Sequence, residues 1–150
     1  MKIFRNSELN NTENKVSGYC IVFEKESVNL GGFTEIIHRG AITQETLDNS
    51  DIFATLDHKT DYVLARSKYG KGNLLLTVDD KGVYFEFELP DTFKGDEVRS
   101  YIKRGELNQC SFCFSLDVND KSSEKWSVRN NLQYREIFKI DKLYDISLVF

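Results

Sequence analysis

Residues 73–89 constrain the fold more than any other stretch. Residues 73–78 and 83–89 are rich in β-branched, leucine and aromatic side chains, and Asp79-Asp80-Lys81-Gly82 separates them. Two such runs around a short Asp- and Gly-bearing connection specify a β-hairpin, with the glycine free to take a left-handed conformation. In the second arm strand alternation places Val83, Phe85, Phe87 and Leu89 on the inner side and Tyr84, Glu86 and Glu88 on the outer. Pro90 ends the arm.

Further runs of this kind lie at 16–23, 51–58, 109–116 and 126–128, and the last piece, 134–150, reads as two strand halves broken near Asp141-Lys142. The apolar stripe Val98, Tyr101 and Ile102 predicts one helix, from Lys94 or Gly95 to Arg104, stopped by Gly105. A short helix over 43–47 opens behind a Thr cap. The expectation is a mainly β, mostly antiparallel, barrel-like single domain spanning 1–150 with peripheral helices. Residues 6–15, polar and Asn-rich, read as a flexible loop. The chain stops inside the apolar run ending at Phe150, which reads as C-terminal truncation.

Composition narrows the function. The chain has 150 residues, 40% of them hydrophobic and 13% aromatic, enough for one buried core. A net charge of −4 and scattered Lys and Arg argue against nucleic acid as a partner, because phosphate binding needs a basic face. No apolar run reaches the roughly 18 residues of a membrane helix, and the start lacks a signal-peptide core. The default location is cytoplasmic. Three cysteines, Cys20, Cys110 and Cys113, fit reduced thiols better than a disulfide framework.

The candidate chemistry sits in Gln109-Cys110-Ser111-Phe112-Cys113-Phe114-Ser115. If extended, this segment puts Cys110, Phe112 and Phe114 on one face and Ser111, Cys113 and Ser115 on the other. Ser111 is a hydroxyl nucleophile on a stiff element, or else a strand serine facing water. A serine nucleophile needs a base, and the base a group that fixes its tautomer. There are only two histidines. His58 ends the 51–58 run on the face of Ile52, Ala54 and Leu56, as a base or as a core or rim residue; His38 reads as an exposed loop histidine. Asp57 points to the opposite face from His58, so the third group comes from elsewhere. Asp145, an acid on an apolar strand, is the candidate, its alternative being a solvent-facing edge residue. Cys110 and Cys113 also form a C-x-x-C spacing, but in a strand the two face opposite ways and cannot share a metal ion.

The order of motifs resembles the HK97-type prohead maturation proteases of tailed bacteriophages. The likeness runs through Gly18-Tyr19, Glu35-Ile36-Ile37 with Gly40-Ala41-Ile42, and Leu56-Asp57-His58 followed by Leu64-Ala65-Arg66. It continues in Asp79-Asp80-Lys81-Gly82-Val83, Leu89-Pro90-Asp91-Thr92, Gly105-Glu106-Leu107 and Cys110-Ser111-Phe112-Cys113-Phe114, and closes with Leu143-Tyr144-Asp145-Ile146-Ser147-Leu148-Val149. The resemblance implies a serine endopeptidase with a fold like herpesvirus assemblins, acting without a cofactor or metal inside the immature capsid in the host cytoplasm. Its implied substrates are extensions of the major capsid protein precursor and scaffold segments, and the protease itself; its implied assembly is a homodimer. By position Ser111 matches the nucleophile, His58 the base and Asp145 the acidic third member. Arg135, or Arg129, is the assemblin-like candidate for supporting the oxyanion, with a backbone N–H as the favoured alternative. Cys110 and Cys113 replace methionine and glycine, Asp145 replaces a glutamate, and the usual Pro-Ala-Tyr continuation is absent. Two other classes stay open, a non-catalytic capsid-assembly or scaffold protein and a small Cys/His metal-binding module.

Overall fold

The hairpin forms where its pattern places it, but its turn is built differently. Val78 pairs with Val83, and the Asp79 carboxylate accepts from the backbone N–H groups of Lys81 (2.8 Å) and Gly82 (3.0 Å). Gly82 is not among the glycines at positive φ. It is needed for close approach: a Cβ there would lie 1.9 Å from the carbonyl oxygen of Ile21 on the neighbouring strand.

A computed structural model describes the backbone of residues 2–4, 10–12 and 14–150, and side chains from residue 14. In chain order the elements are β1 (Lys2–Phe4), β2 (Asn10–Thr12), β3 (Lys15–Val22), β4 (Phe33–Ile37), α1 (Gln44–Asp48), β5 (Asp51–Leu56), β6 (Val63–Lys68), β7 (Lys71–Gly72), β8 (Leu75–Val78), β9 (Gly82–Glu88), α2 (Phe93–Lys103), β10 (Gln109–Ser115), a 3-10 turn (Lys121–Ser123), β11 (Glu124–Arg129), β12 (Leu132–Ile137) and β13 (Lys142–Val149). Residues 10–12, inside the expected 6–15 loop, pair with β3; residues 6–9 and 13 lie outside the described residues.

Both helices start on threonine caps. Thr43 accepts from the N–H of Thr46, and Thr92 from that of Gly95. Helix α2 is capped by Arg104 and followed by Gly105 at φ 79°, the left-handed stop that the sequence predicted.

The described strands make three sheets, in the orders β1-β10-β13-β5-β6-β7, β2-β3-β9-β8 and β11-β12-β4. The protein is mainly β, as expected, but the described strands do not close into a barrel. Two pairings are parallel, β13 with β5 and β12 with β4, because the chain wanders far before returning to each neighbour. The core gathers the inward residues of the first two sheets, among them Ile21, Ile52, Phe85, Phe112, Ile146 and Leu148, all nearly or fully buried. Each such side chain contributes about 1.5–3 kcal/mol by leaving water.

Candidate active site

The ladder through β10, β13 and β5 places the candidate residues on one sheet face. Ser111 is opposite Ser147 and Cys113 opposite Asp145 on β13, while Asp145 and Ser147 are in register with Phe53 and Thr55 of β5. Residues in register share a face, so Ser111, Cys113, Asp145 and Ser147 stand back to back with the core residues Cys110, Phe112, Ile146 and Leu148. Between Cys113 and Phe114 the register shifts so that Leu143 opposes Phe114, leaving Tyr144 as the extra residue; the bulge returns Leu143 to the core.

His58 reaches this face by a route that alternation did not predict. Strand β5 ends at Leu56, and Asp57 and His58 both adopt left-handed conformations, at φ 53° and 56°. Such residues cost on the order of 1–3 kcal/mol each and persist where the surroundings hold them. Here Asp57 N–H donates to the Leu148 carbonyl (2.9 Å), Lys59 N–H to the Leu56 carbonyl (3.0 Å) and His58 N–H to the Ser147 hydroxyl (2.8 Å). The turn swings the imidazole away from the Ile52, Ala54 and Leu56 face, where a continuing strand would have left it, and onto Asp145. His58 Nδ1 lies 3.0 and 3.1 Å from the two carboxylate oxygens. An ionised carboxylate only accepts, so the ring donates through Nδ1 and its Nε2 is the basic nitrogen in the neutral form. That Nε2 is buried and has no hydrogen-bond partner among the described residues.

Ser111 is completely buried at the centre of this face, and Asp145 and the His58 ring are each largely covered. Asp57 is exposed and takes no part. Cys110 faces the core with Cys20; burial pushes the Cys20 thiol up to about 12 and holds Cys110 well above the ordinary thiol range, so both are inert. Cys113 is partly exposed on the opposite face, next to Asp145.

The second histidine is not the simple exposed loop residue expected. His38 Nδ1 lies 2.9 Å from Glu24 and its Nε2 3.0 Å from Glu136, and the ring stacks on Phe138. Arg135 is likewise engaged elsewhere. Its guanidinium binds Glu124 at 2.6 Å and the fully buried Glu35 at 3.2 Å, and lies 5.4 Å from the Trp126 ring centroid. Arg129 lies over the Tyr134 ring. A cavity of about 590 Å³ opens beside Arg135, lined also by Phe114, Leu116 and Trp126; Ser111, His58 and Asp145 are not part of its lining.

The sequence reading missed Ser147, which carries the His58 backbone. Its only signal is its spacing, two residues after Asp145 on the same strand face.

A basic imidazole nitrogen backed by a carboxylate is the base-and-acid part of a serine-hydrolase triad, and Ser111 lies on the same sheet face. A family profile described as caudovirus prohead serine protease matches residues 2–150. The chain belongs to the caudovirus prohead serine protease family. A search of curated proteins finds no match. Membership in the prohead protease family implies serine peptidase activity with a role in phage capsid maturation, and capsid proteins as the substrate class. No helix of the described residues is long and apolar enough to cross a membrane.

Proposed function

We propose that this prohead protease cleaves extensions of the major capsid protein precursor and scaffold segments inside the immature capsid, with Ser111 as nucleophile, His58 as general base and Asp145 as the acid that orients it. The observation that carries this reading is the His58 ring, held through Nδ1 by Asp145 with Nε2 buried and without a hydrogen-bond partner among the described residues. In this reading Nε2 takes the Ser111 proton as the hydroxyl oxygen attacks the scissile carbonyl, then returns it to the leaving amine. Asp145 keeps the tautomer and stabilises the imidazolium. Arg135 is committed to Glu35 and Glu124, so backbone N–H groups are the better source of oxyanion support.

The test is co-expression with a capsid-protein precursor, read by intact mass. Ser111→Ala abolishes processing, a loss on the order of 10⁶ in kcat by the subtilisin precedent, and shifts Tm by less than about 4 °C, roughly 1 kcal/mol for a chain of this size. His58→Ala is as damaging, and the double variant is little worse than either single one, because the residues act as a unit. His38→Ala keeps most activity. Cleavage by purified Ser111→Ala at near the parent rate rules out Ser111 as nucleophile.

The complete burial of Ser111 favours a second reading, a non-catalytic capsid-assembly protein built on the protease fold. Labelling with a fluorophosphonate separates the two: a nucleophilic Ser111 is modified and protected by His58→Ala, whereas a purely structural serine is not modified in either chain.

A further inference from the structure

We propose that Ser147 is a positioning residue for His58, gripping the backbone of the histidine whose ring Asp145 holds; the inference rests on the reading of His58 as general base. Asp145 and Ser147 are two residues apart on β13, so both project from one face of the strand. Asp145 takes the His58 ring at Nδ1, and the Ser147 hydroxyl accepts the His58 backbone N–H at 2.8 Å. The same hydroxyl lies 3.2 Å from the Thr55 carbonyl of β5 and 3.4 Å from the Leu148 carbonyl, so its one proton is spent on the main chain and its oxygen accepts from His58. Ser147 is 1% exposed, and its position in the ladder lies between Thr55 and Ser111. One buried hydroxyl therefore joins the strand before His58, the strand of Asp145 and the left-handed turn that carries the base.

The turn explains why a side chain is needed. His58 lies beyond the end of β5, so no ladder partner receives its N–H, and its φ of 56° is a conformation that an unsupported histidine leaves readily. Asp57 is held by the main chain of Leu148, whereas His58, among the described residues, is held through side chains of β13. Without the hydroxyl the turn relaxes, and the ring pivots on a single contact with Asp145. Small misplacement of a base is costly because the attack geometry must be met within a few tenths of an ångström.

The experiment compares Ser147→Ala and Ser147→Thr with the parent, using fluorophosphonate inactivation split into kinact and KI, thermal melting, and imidazole ¹⁵N and Nδ1–H proton NMR, with His38→Gln assigning the two histidines. In Ser147→Ala the expected result is a kinact reduced about 10- to 100-fold with KI within about twofold, and a His58 Nδ1–H resonance broadened or lost in protein that remains folded. Ser147→Thr, which keeps the hydroxyl on a strand, restores the resonance and most of kinact. A Ser147→Ala protein with the parent His58 resonance overturns the proposal, as does a loss of kinact that only follows the unfolded fraction. Failure of the general-base reading looks different: His58→Ala then reacts at the parent rate, while the NMR comparison still decides whether Ser147 positions the ring.

Discussion

At Asp145 the chemistry turns on one proton. Its two oxygens lie almost equally far from His58 Nδ1, so the carboxylate both fixes the tautomer and faces the charge that forms on the ring. Asp145→Asn retains the shape but offers an amide that can present N–H to the ring and trap the wrong tautomer, and the precedent for that change is a loss of about 10⁴ in kcat. Asp145→Glu keeps the charge and retains far more activity. Steady-state kinetics on a capsid-precursor peptide checks both. Near-parent turnover in Asp145→Asn, with loss in Asp141→Asn or Glu136→Gln, moves the role to one of those acids. Glu136 is already paired with His38 and Asp141 is exposed, so the expected outcome is that neither variant loses activity.

Among the elements, β12 shows how a charged residue that looked catalytic can be structural. Arg135 lies on the central strand of the β11-β12-β4 sheet, in register with Trp126 on one side and Glu35 on the other. Its ion pairs with Glu124 and Glu35 cross that sheet, and Glu35 is fully buried. Removing one partner of a buried pair leaves a desolvated charge, so Arg135→Met destabilises the protein by about 3–5 kcal/mol, and adding Glu35→Gln recovers part of the loss. Urea denaturation of the single and double variants measures this. A stable Arg135→Met protein with a selective loss of kcat would return Arg135 to the oxyanion role. The strand patterns of β11 and β12 were legible in residues 126–128 and 134–150; the Arg135–Glu35 pair was not, because it depends on register between strands 100 residues apart, and the Arg135–Glu124 pair rests on the register of the β11–β12 hairpin.

Across the whole molecule, His38 ties the sheet containing β3 to the sheet containing β4 and β12, since Glu24 follows β3 and Glu136 lies on β12. Partial burial opposes the charge on His38, but its hydrogen bonds to Glu24 and Glu136 prevail and raise its pKa above the usual 6.5. Glu24 is lowered from its ordinary 4.5, first by the Arg39 backbone N–H and then by His38. A raised histidine contributes stability that is fully present below about pH 6.5 and fades as pH rises through the folded-state value; the lowered carboxylate contributes above about pH 4.5 and fades on acidification. The stability difference between the parent and His38→Gln is therefore largest near pH 5.5 and shrinks by pH 8.5, as urea unfolding at the two pH values reports; an equal difference at both removes the charged clamp. Taken by itself, the sequence determined the hairpin arms β8 and β9, the strands β3, β5 and β10, the α2 helix with its Gly105 stop and the Thr43 cap of α1, because alternation and caps act over a few residues, and it singled out both His58 and Asp145; β6, and β2 inside a stretch that reads as a loop, carried no such local signal. Only the tertiary structure decided that the described strands form three sheets with two parallel pairings, that Gly82 serves a close approach to Ile21, that Arg135 is spent on Glu35 and Glu124, and that a left-handed turn carries His58 across to Asp145 and Ser147. Those outcomes depend on which distant strands become neighbours, and that choice is made by burial summed over the whole core rather than by any local pattern.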